Sequence, residues 1–131
     1  MKITFDDLQD MARTVWGEAR GQGQDGMRAV AHVILNRVKD RRWPDRIGAV
    51  CKQKWQFSCW NENDPNRVKL LTAEPTRESF RAAIRACLDA IDGEDITRGA
   101  DHYFADSIKA PMWALEMEQV AAIGHHLFFK G

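Results

Sequence analysis

The sequence predicts a mainly α fold, of the α or α+β class, with little or no sheet. Three long stretches carry apolar residues at helical spacing, turn residues separate them, and strand-like segments are few and short. Hydrophobic residues make up 44% and charged residues 29% of the 131 residues, which is typical of globular proteins. A chain of this length most simply forms one domain, so we expect residues 1–131 to fold as a single unit.

The first predicted helix begins after Thr4, whose hydroxyl can cap the free amide groups, and it ends at Gly21. Asp6 and Asp7 lie in its first turn, where the helix dipole favours acidic side chains. Apolar side chains recur along one face of this helix, at Leu8, Met11, Val15 and Trp16.

Two further helices are predicted along the chain. The second begins at Asp25 or Gly26 and runs to about residue 41, before the break at Trp43-Pro44. The third runs from Pro75-Thr76 to Gly93. Between them, residues 45–74 show no long period and are expected to form a functional loop, with a short helix at residues 67–71.

Shorter elements are predicted after the third helix. Residues 100–105 are expected to form a strand, and residues 111–116 a turn or a short helix. Residues 127–129 are apolar and are expected to form a final strand or an ordered tail. The β content predicted from these segments is therefore small.

Composition excludes several classes of function. Nineteen basic and nineteen acidic residues give a formal net charge of +0, which argues against a nucleic-acid partner. No apolar run approaches the roughly 20 residues of a membrane helix, and the first residues do not resemble a signal peptide. We therefore expect no membrane insertion, synthesis in the cytoplasm and reduced thiols.

Cysteines and histidines do not predict a metal site. Three cysteines, Cys51, Cys59 and Cys87, cannot all pair within one chain, and a disulfide between Cys51 and Cys59 is left open. The four histidines show none of the spacings of zinc ligands, so we expect no metal and no cofactor.

Glu18 is the strongest candidate for chemistry. It continues the apolar ridge of Met11 and Val15, so a carboxyl group lies on an otherwise buried face. It also lies in the last turn of its helix, where the dipole disfavours an anion. Both features favour the protonated acid, the form that a general acid needs. The alternative is a structural ion pair with Arg13, Arg20 or another arginine.

A second group of residues suits the binding of a sugar. Gln56, Phe57 and Ser58 place an amide and a hydroxyl beside an aromatic ring in the irregular region. The alternative is a loop with one anchoring ring. Additional aromatic and hydrogen-bonding groups lie further along the chain, at His102, Tyr103, Phe104 and Trp113, and His126 is a core or cleft histidine.

Six segments of the chain resemble, in the same order along the sequence, the SleB-type cell wall hydrolases, a family that includes spore-cortex-lytic enzymes and many phage endolysins. Residues 16–22, WGEARGQ, resemble the family's GEARGE signature. Trp113 lies where the family has a tryptophan. The other similar segments are residues 29–38 (AVAHVILNRV), 43–44 (WP), 56–58 (QFS), 99–104 (GADHYF) and 123–129 (IGHHLFF).

The resemblance implies a lysozyme-like or lytic-transglycosylase-like fold that cleaves peptidoglycan at the β-1,4 bond between N-acetylmuramic acid and N-acetylglucosamine. It implies that Glu18, in the GEARG segment, is the catalytic acid. The substrate-binding residues implied by motif membership, some of them orienting or packing against the sugar, are Gln56, Phe57, Ser58, Tyr103, Trp113 and His126.

The resemblance leaves the reaction type open between a lytic transglycosylase and a lysozyme-type muramidase. A muramidase needs a second carboxylate, for which Glu62 and Asp64 are the candidates and Asp101 and Asp106 weaker ones. A transglycosylase does without it, because the 6-hydroxyl of the muramyl residue attacks in place of water.

A catalytic domain without an export segment fits a phage or prophage endolysin. We expect such an enzyme to be a monomer that is made in the cytoplasm and reaches the cell wall with the help of a holin. One alternative is a non-catalytic peptidoglycan-binding or morphogenetic protein that uses the same groove. A zinc amidase or peptidase is a third interpretation, which the missing ligand spacing disfavours and chelator sensitivity would reveal.

Overall fold

The computed structural model describes residues 2–53, 56–61, 64, 65, 67, 69 and 77–131. The helices with described bounds are α1 (Phe5–Ala19), α2 (Gly23–Lys39), α3 (Ile47–Lys52) and α4 (Glu78–Asp92). The described chain also forms two 3-10 helices, Ser58–Trp60 and Met112–Glu116. Its strands are β1 (His102–Ala105), β2 (Glu118–Ile123) and β3 (His126–Lys130). The predicted mainly α class is confirmed, with a small sheet as its β component.

The N-terminus of α1 is fixed by the cap that the sequence predicts. The Thr4 hydroxyl accepts a hydrogen bond from the Asp7 amide at 3.1 Å, and the Asp7 carboxylate accepts one from the Thr4 amide at 3.1 Å. This reciprocal pair satisfies two amide groups that the helix itself cannot bond. The helix ends at Ala19, so Glu18 lies in its last turn as expected.

The main core lies between α1, α2 and α4. Trp16 is its largest fully enclosed α1 side chain, and its indole nitrogen donates to the Ser79 hydroxyl at 2.9 Å. The Phe80 ring meets Trp16 edge-on, with 6.5 Å between centroids. Burial of an aromatic side chain with its polar atom bonded stabilises this contact, so the helix that carries Glu18 is held firmly against α4.

The sheet has the antiparallel order β1-β3-β2. Tyr103 on β1 lies opposite Phe128 on β3, and the register of β2 shifts between Gln119 and Ala121. The predicted strands at residues 100–105 and 127–129 are confirmed as β1 and β3, whereas β2 was not predicted. β1 is an edge strand, so it pairs with β3 along one edge and has no strand partner along the other edge in the described sheet.

The helix bounds differ from the predicted ones for local reasons. α2 ends at Lys39 rather than near residue 41, because the Asp40 backbone is extended and its carboxylate accepts a hydrogen bond from the Arg42 amide at 2.9 Å. α4 begins at Glu78, and its predicted start at Pro75-Thr76 lies outside the described residues. Of the short helix expected at residues 67–71, residues 67 and 69 are described and are helical.

All three cysteines are buried as free thiols, so Cys51 and Cys59 are not paired in the structure. Burial raises the pKa of the Cys51 thiol to about 12. Burial raises the pKa of Cys59 too, with a smaller contribution from the neighbouring Glu18 carboxylate. These thiols therefore stay protonated at neutral pH. Among the described helices, none has the length and apolar character required to cross a membrane.

Candidate active site

A cleft of about 380 Å³ lies where α1, α2 and β1 come together. Five of the residues predicted from the sequence lie along it, although they are distant in the chain. Its lining side chains are Glu18, Arg37, Gln56, Ser58, His102, Tyr103 and Trp113. The fold therefore assembles one concave, mostly polar site around the predicted acid.

The two oxygens of the Glu18 carboxylate are held differently. Oε1 accepts a hydrogen bond of 2.7 Å from the Tyr103 hydroxyl. Oε2 accepts longer bonds, 3.4 Å from the Ser58 hydroxyl and 3.3 Å from the Cys59 amide. Because hydrogen bonds weaken with length, Tyr103 anchors Oε1 while Oε2 is held loosely. Oε2 is therefore the oxygen that can exchange its partners for a ligand.

Tyr103 is placed by the sheet and by the rings behind it. It lies on β1, and its ring contacts His126 and Phe128, with centroids 4.9 Å and 5.7 Å away. Burial and the adjacent Glu18 carboxylate raise the pKa of Tyr103 well above its ordinary value. Its hydroxyl therefore stays neutral and acts as a hydrogen-bond donor to Glu18.

The contacts of nearby arginines favour the catalytic interpretation of Glu18 over the structural ion pair. The Arg20 guanidinium lies over the Trp16 ring at 4.4 Å and donates to the carbonyl oxygens of Trp16 and Gly17. Arg13 lies over the Phe80 ring at 5.3 Å. Among the described residues, the hydrogen bonds that Glu18 accepts come from three neutral donors, the Tyr103 hydroxyl, the Ser58 hydroxyl and the Cys59 amide.

The segment that carries Ser58 is fastened to α1 beside the acid. The Trp60 indole nitrogen donates to the Thr14 hydroxyl at 2.8 Å, and the Cys59 amide reaches Glu18. Phe57 was predicted to contact the substrate, and this prediction is wrong because only 1% of the side chain is exposed. Its ring lies 5.2 Å from the Arg37 guanidinium in the core, so Phe57 anchors the segment instead.

His126 also differs from its predicted role in substrate binding. Only 7% of it is exposed, it is not among the described side chains that line the cleft, and its Nδ1 atom is buried without a hydrogen-bond partner among the described residues. Its ring packs against Tyr103 and thereby supports the anchor of Glu18. Burial is the main reason that the pKa of His126 is lowered, against the opposing effect of Asp106. His126 is therefore neutral near pH 7.

The lowered pKa of His126 predicts acid sensitivity. Between the lowered pKa in the folded state and about 6.5 in the unfolded state, the unfolded chain binds more protons, so stability falls as the pH falls through this window. We expect the melting temperature to drop between about pH 7.5 and about pH 5.5, and to drop less in His126→Phe. Thermal denaturation followed by circular dichroism measures both slopes.

His126→Phe is expected to keep part of the fall in melting temperature with pH. The reason is that burial also lowers the pKa of His32, which makes stability depend on pH in the same direction. Equal slopes for the wild type and His126→Phe would contradict the prediction.

Arg37 is a cleft residue that was not predicted. It is 4% exposed, its Nε donates to the Asp101 carbonyl oxygen at 2.8 Å, and its Nη1 donates to Gln56 Oε1 at 3.2 Å. A signal for it exists in the sequence, since Arg37 continues the buried ridge of Val30 and Val33 as Glu18 continues that of α1. Its position on α2 therefore marks Arg37 as a candidate site residue in the same way as the position of Glu18 on α1.

His102 is the second cleft residue that was not assigned a specific role. Its Nδ1 lies 2.9 Å from Asp101 Oδ1, and its ring lies near Trp113, with centroids 5.0 Å apart. On the other side it contacts Trp43, with centroids 5.7 Å apart. Asp101 is itself 4% exposed and accepts a further bond from Arg42 at 3.1 Å. A carboxylate bonded to one ring nitrogen fixes the orientation of the imidazole.

The predicted second carboxylates do not join Glu18 in the described cleft. Glu62 lies outside the described residues. Asp64 is not among the lining side chains, Asp101 faces His102 and Arg42, and Asp106 lies 3.7 Å from His125. Among the described lining residues, Glu18 is the single carboxylate. The described residues also include no cluster of three or more side chains suited to holding a metal ion.

Comparison with known proteins shows similarity over most of the chain. A family model described as Cell Wall Hydrolase matches residues 21–129, beginning three residues after Glu18. A spore cortex-lytic enzyme of Halalkalibacterium halodurans is 34% identical over 122 residues, which cover 93% of this chain and 34% of that protein. The chain spans between 34% and 44% of the length of such curated relatives.

Two solved structures are similar along almost their whole length. The catalytic domain of the Bacillus cereus SleB protein has a TM-score of 0.82 and 33% identity, covering 98% of this chain and 93% of its own. The catalytic domain of the germination-specific lytic transglycosylase SleB from Bacillus anthracis has a TM-score of 0.80 and 34% identity, covering 97% and 96%. The predicted lysozyme-like fold is confirmed by this likeness.

Proposed function

Because the chain belongs to the cell wall hydrolase family, we propose that it cleaves the glycan strands of peptidoglycan, with Glu18 as the general acid. The bond that we assign is the β-1,4 bond between N-acetylmuramic acid and N-acetylglucosamine. The observation that carries the proposal is the half-buried Glu18 carboxyl group in the cleft, with one oxygen anchored by Tyr103 at 2.7 Å.

In this proposal the loosely held Oε2 atom of Glu18 carries the proton. The glycosidic bond breaks through an oxocarbenium-like state, and the proton passes to the departing oxygen of N-acetylglucosamine. The Tyr103 hydroxyl, the Ser58 hydroxyl and the Cys59 amide then stabilise the carboxylate that remains. Donors placed where negative charge develops lower the barrier without rearrangement of the site.

We assign the second step to a lytic transglycosylase. The Glu18 carboxylate takes the proton of the muramyl 6-hydroxyl, whose oxygen forms a bond to the anomeric carbon and closes a 1,6-anhydro ring. Two observations support this choice over hydrolysis: Glu18 is the single carboxylate among the described lining residues, and a similar solved structure is described as a lytic transglycosylase.

Mass spectrometry of digested peptidoglycan tests the reaction type. Purified peptidoglycan is incubated with the protein, and the released fragments are weighed. Muramyl ends that carry the 1,6-anhydro ring identify a transglycosylase. Reducing muramyl ends would identify a muramidase, and the search for a second carboxylate would then return to Glu62 and Asp64.

Removing the Tyr103 hydroxyl is expected to lower kcat about 10–100-fold, since a hydrogen bond to a charged group contributes roughly 1.5–3 kcal/mol. The ring of Tyr103→Phe still packs against His126 and Phe128, so the melting temperature should change little. Steady-state rates of fragment release measure kcat and KM separately. Ser58→Ala is the matched control with a smaller expected loss, because its bond to Glu18 is 3.4 Å long. A Tyr103→Phe protein with the wild-type kcat would remove Tyr103 from the mechanism.

The biological setting is a further part of the proposal. We retain from the sequence the expectation of a phage or prophage endolysin that acts as a monomer on the cell wall. Its synthesis in the cytoplasm and its release with a holin likewise stay predictions.

A further inference from the structure

The direction of hydrogen bonding by Gln56 is set by its buried neighbour. An arginine side chain has donors only, so the Gln56 atom that lies 3.2 Å from Arg37 Nη1 must be the amide oxygen. The NH₂ group of Gln56 is then the end that is left for a ligand. Gln56 lines the cleft and is exposed there, so it offers a hydrogen-bond donor to the substrate.

Asp101 determines which ring nitrogen of His102 donates a hydrogen bond and which one accepts. An ionised Asp101 carboxylate only accepts hydrogen bonds, so Nδ1 of His102, 2.9 Å away, carries the hydrogen. In the neutral imidazole the other ring nitrogen, Nε2, is then an acceptor. His102 also lines the cleft, so it offers a hydrogen-bond acceptor to the substrate.

One guanidinium group links this donor and this acceptor. Arg37 donates from Nε to the carbonyl oxygen of Asp101, the residue before His102, and from Nη1 to Gln56. Arg37 is buried and lies 5.2 Å from each of the Trp43 and Phe57 rings, which restrict its movement. One buried guanidinium group therefore holds both the Gln56 amide and the backbone next to His102, and both side chains line the same cleft.

We propose that Gln56 and His102 form a subsite for the 2-acetamido group of an N-acetylated sugar. Gln56 donates to the carbonyl oxygen of the amide, and His102 Nε2 accepts the amide N–H. Trp113, whose ring centroid is 5.0 Å from that of His102, offers an apolar surface to the acetyl methyl group. Arg37 and Asp101 are positioning residues. This inference rests on the proposed action on peptidoglycan and adds the chemical group that the cleft selects.

The test compares peptidoglycan that keeps its N-acetyl groups with the same material after N-deacetylation. Wild-type protein is expected to show a kcat/KM at least about tenfold higher on the acetylated material, since unpaired polar groups in a site are costly.

Two variants each remove one hydrogen-bonding group of the subsite. Gln56→Glu still accepts from Arg37 but has no donor, and His102→Phe keeps a ring between Trp43 and Trp113 but has no acceptor. Each variant should lose most of the preference, mainly through KM on acetylated material. Gln119→Glu, an exposed position on β2, is the matched control and should keep it.

A second measurement separates this inference from the proposed function. Calorimetric binding of an N-acetylglucosamine tetrasaccharide to Glu18→Gln should be at least about tenfold tighter than binding of the glucosamine tetrasaccharide. Adding His102→Phe should abolish the difference. The subsite is overturned if the wild type has no preference, if both variants keep the wild-type preference, or if Glu18→Gln binds the two tetrasaccharides equally. Absence of cleavage together with selective binding would refute the proposed function and leave the subsite standing.

Discussion

Glu18→Gln is expected to lower the rate of glycan cleavage about 10²–10⁴-fold, the usual contribution of a general acid. Glutamine has nearly the shape of the protonated side chain, and its oxygen can still accept the hydrogen bond from Tyr103. It has no proton to give to the departing sugar oxygen. The loss should therefore appear in kcat, while KM and the melting temperature remain close to those of the wild type.

Product analysis measures this effect against a matched control. Equal amounts of wild type, Glu18→Gln and Glu118→Gln are incubated with purified peptidoglycan, and muramyl fragments are quantified over time by mass spectrometry. Glu118 is exposed on β2, so its variant should retain wild-type activity. Equal product from Glu18→Gln and wild type would show that Glu18 is structural. Binding without cleavage by every protein would support the non-catalytic alternative.

Phe57→Ala is expected to cost about 3–5 kcal/mol of stability, as is usual when a buried aromatic ring is removed. Phe57 is 1% exposed and packs within the main core, so the deleted ring leaves a cavity. For a chain of this size the melting temperature should fall by roughly 10–20 °C. The loss of the anchor should also loosen Gln56 and Ser58, so activity should fall even at temperatures where the variant is folded.

Phe57→Leu distinguishes this packing role from the direct sugar contact that the sequence suggested. Leucine keeps much of the apolar volume, so both stability and KM should stay close to wild type. A sugar-stacking role predicts a different result for Phe57→Leu. The KM should rise while the melting temperature stays unchanged, because leucine has no flat face on which a sugar can stack. Thermal denaturation and steady-state kinetics on the two variants decide between the patterns.

The helices were predictable because their apolar residues keep a helical period over several turns. β2 was not, because Val120, Ala121 and Ile123 are only half-buried and the register shift after Gln119 breaks the strand alternation. α3 is a single short helix of six residues inside the irregular region, too short for a period to emerge.

The site was predictable where side-chain chemistry and helix position coincide, as they do for Glu18. Residue type alone could not show that Phe57 faces the core whereas Trp113 lines the cleft, because both are aromatic residues outside the three long predicted helices and the predicted strands. The pairing of Asp101 with His102 depends on contacts from Trp43 and Arg42, which are about 60 residues away in the chain. Such tertiary contacts leave no local pattern in a single sequence.

The arrangement of the sheet has a consequence for when the cleft can form during synthesis. Tyr103 stands on β1, which pairs with β3 at residues 126–130 and not with a strand made earlier. Since pairing between distant segments closes late, Glu18 gains its hydroxyl partner only after β3 has left the ribosome and docked. A nascent chain that already holds α1, α2 and α4 therefore lacks one wall of the site. The contact between Tyr103 and Glu18 is therefore completed only when β3 has paired with β1.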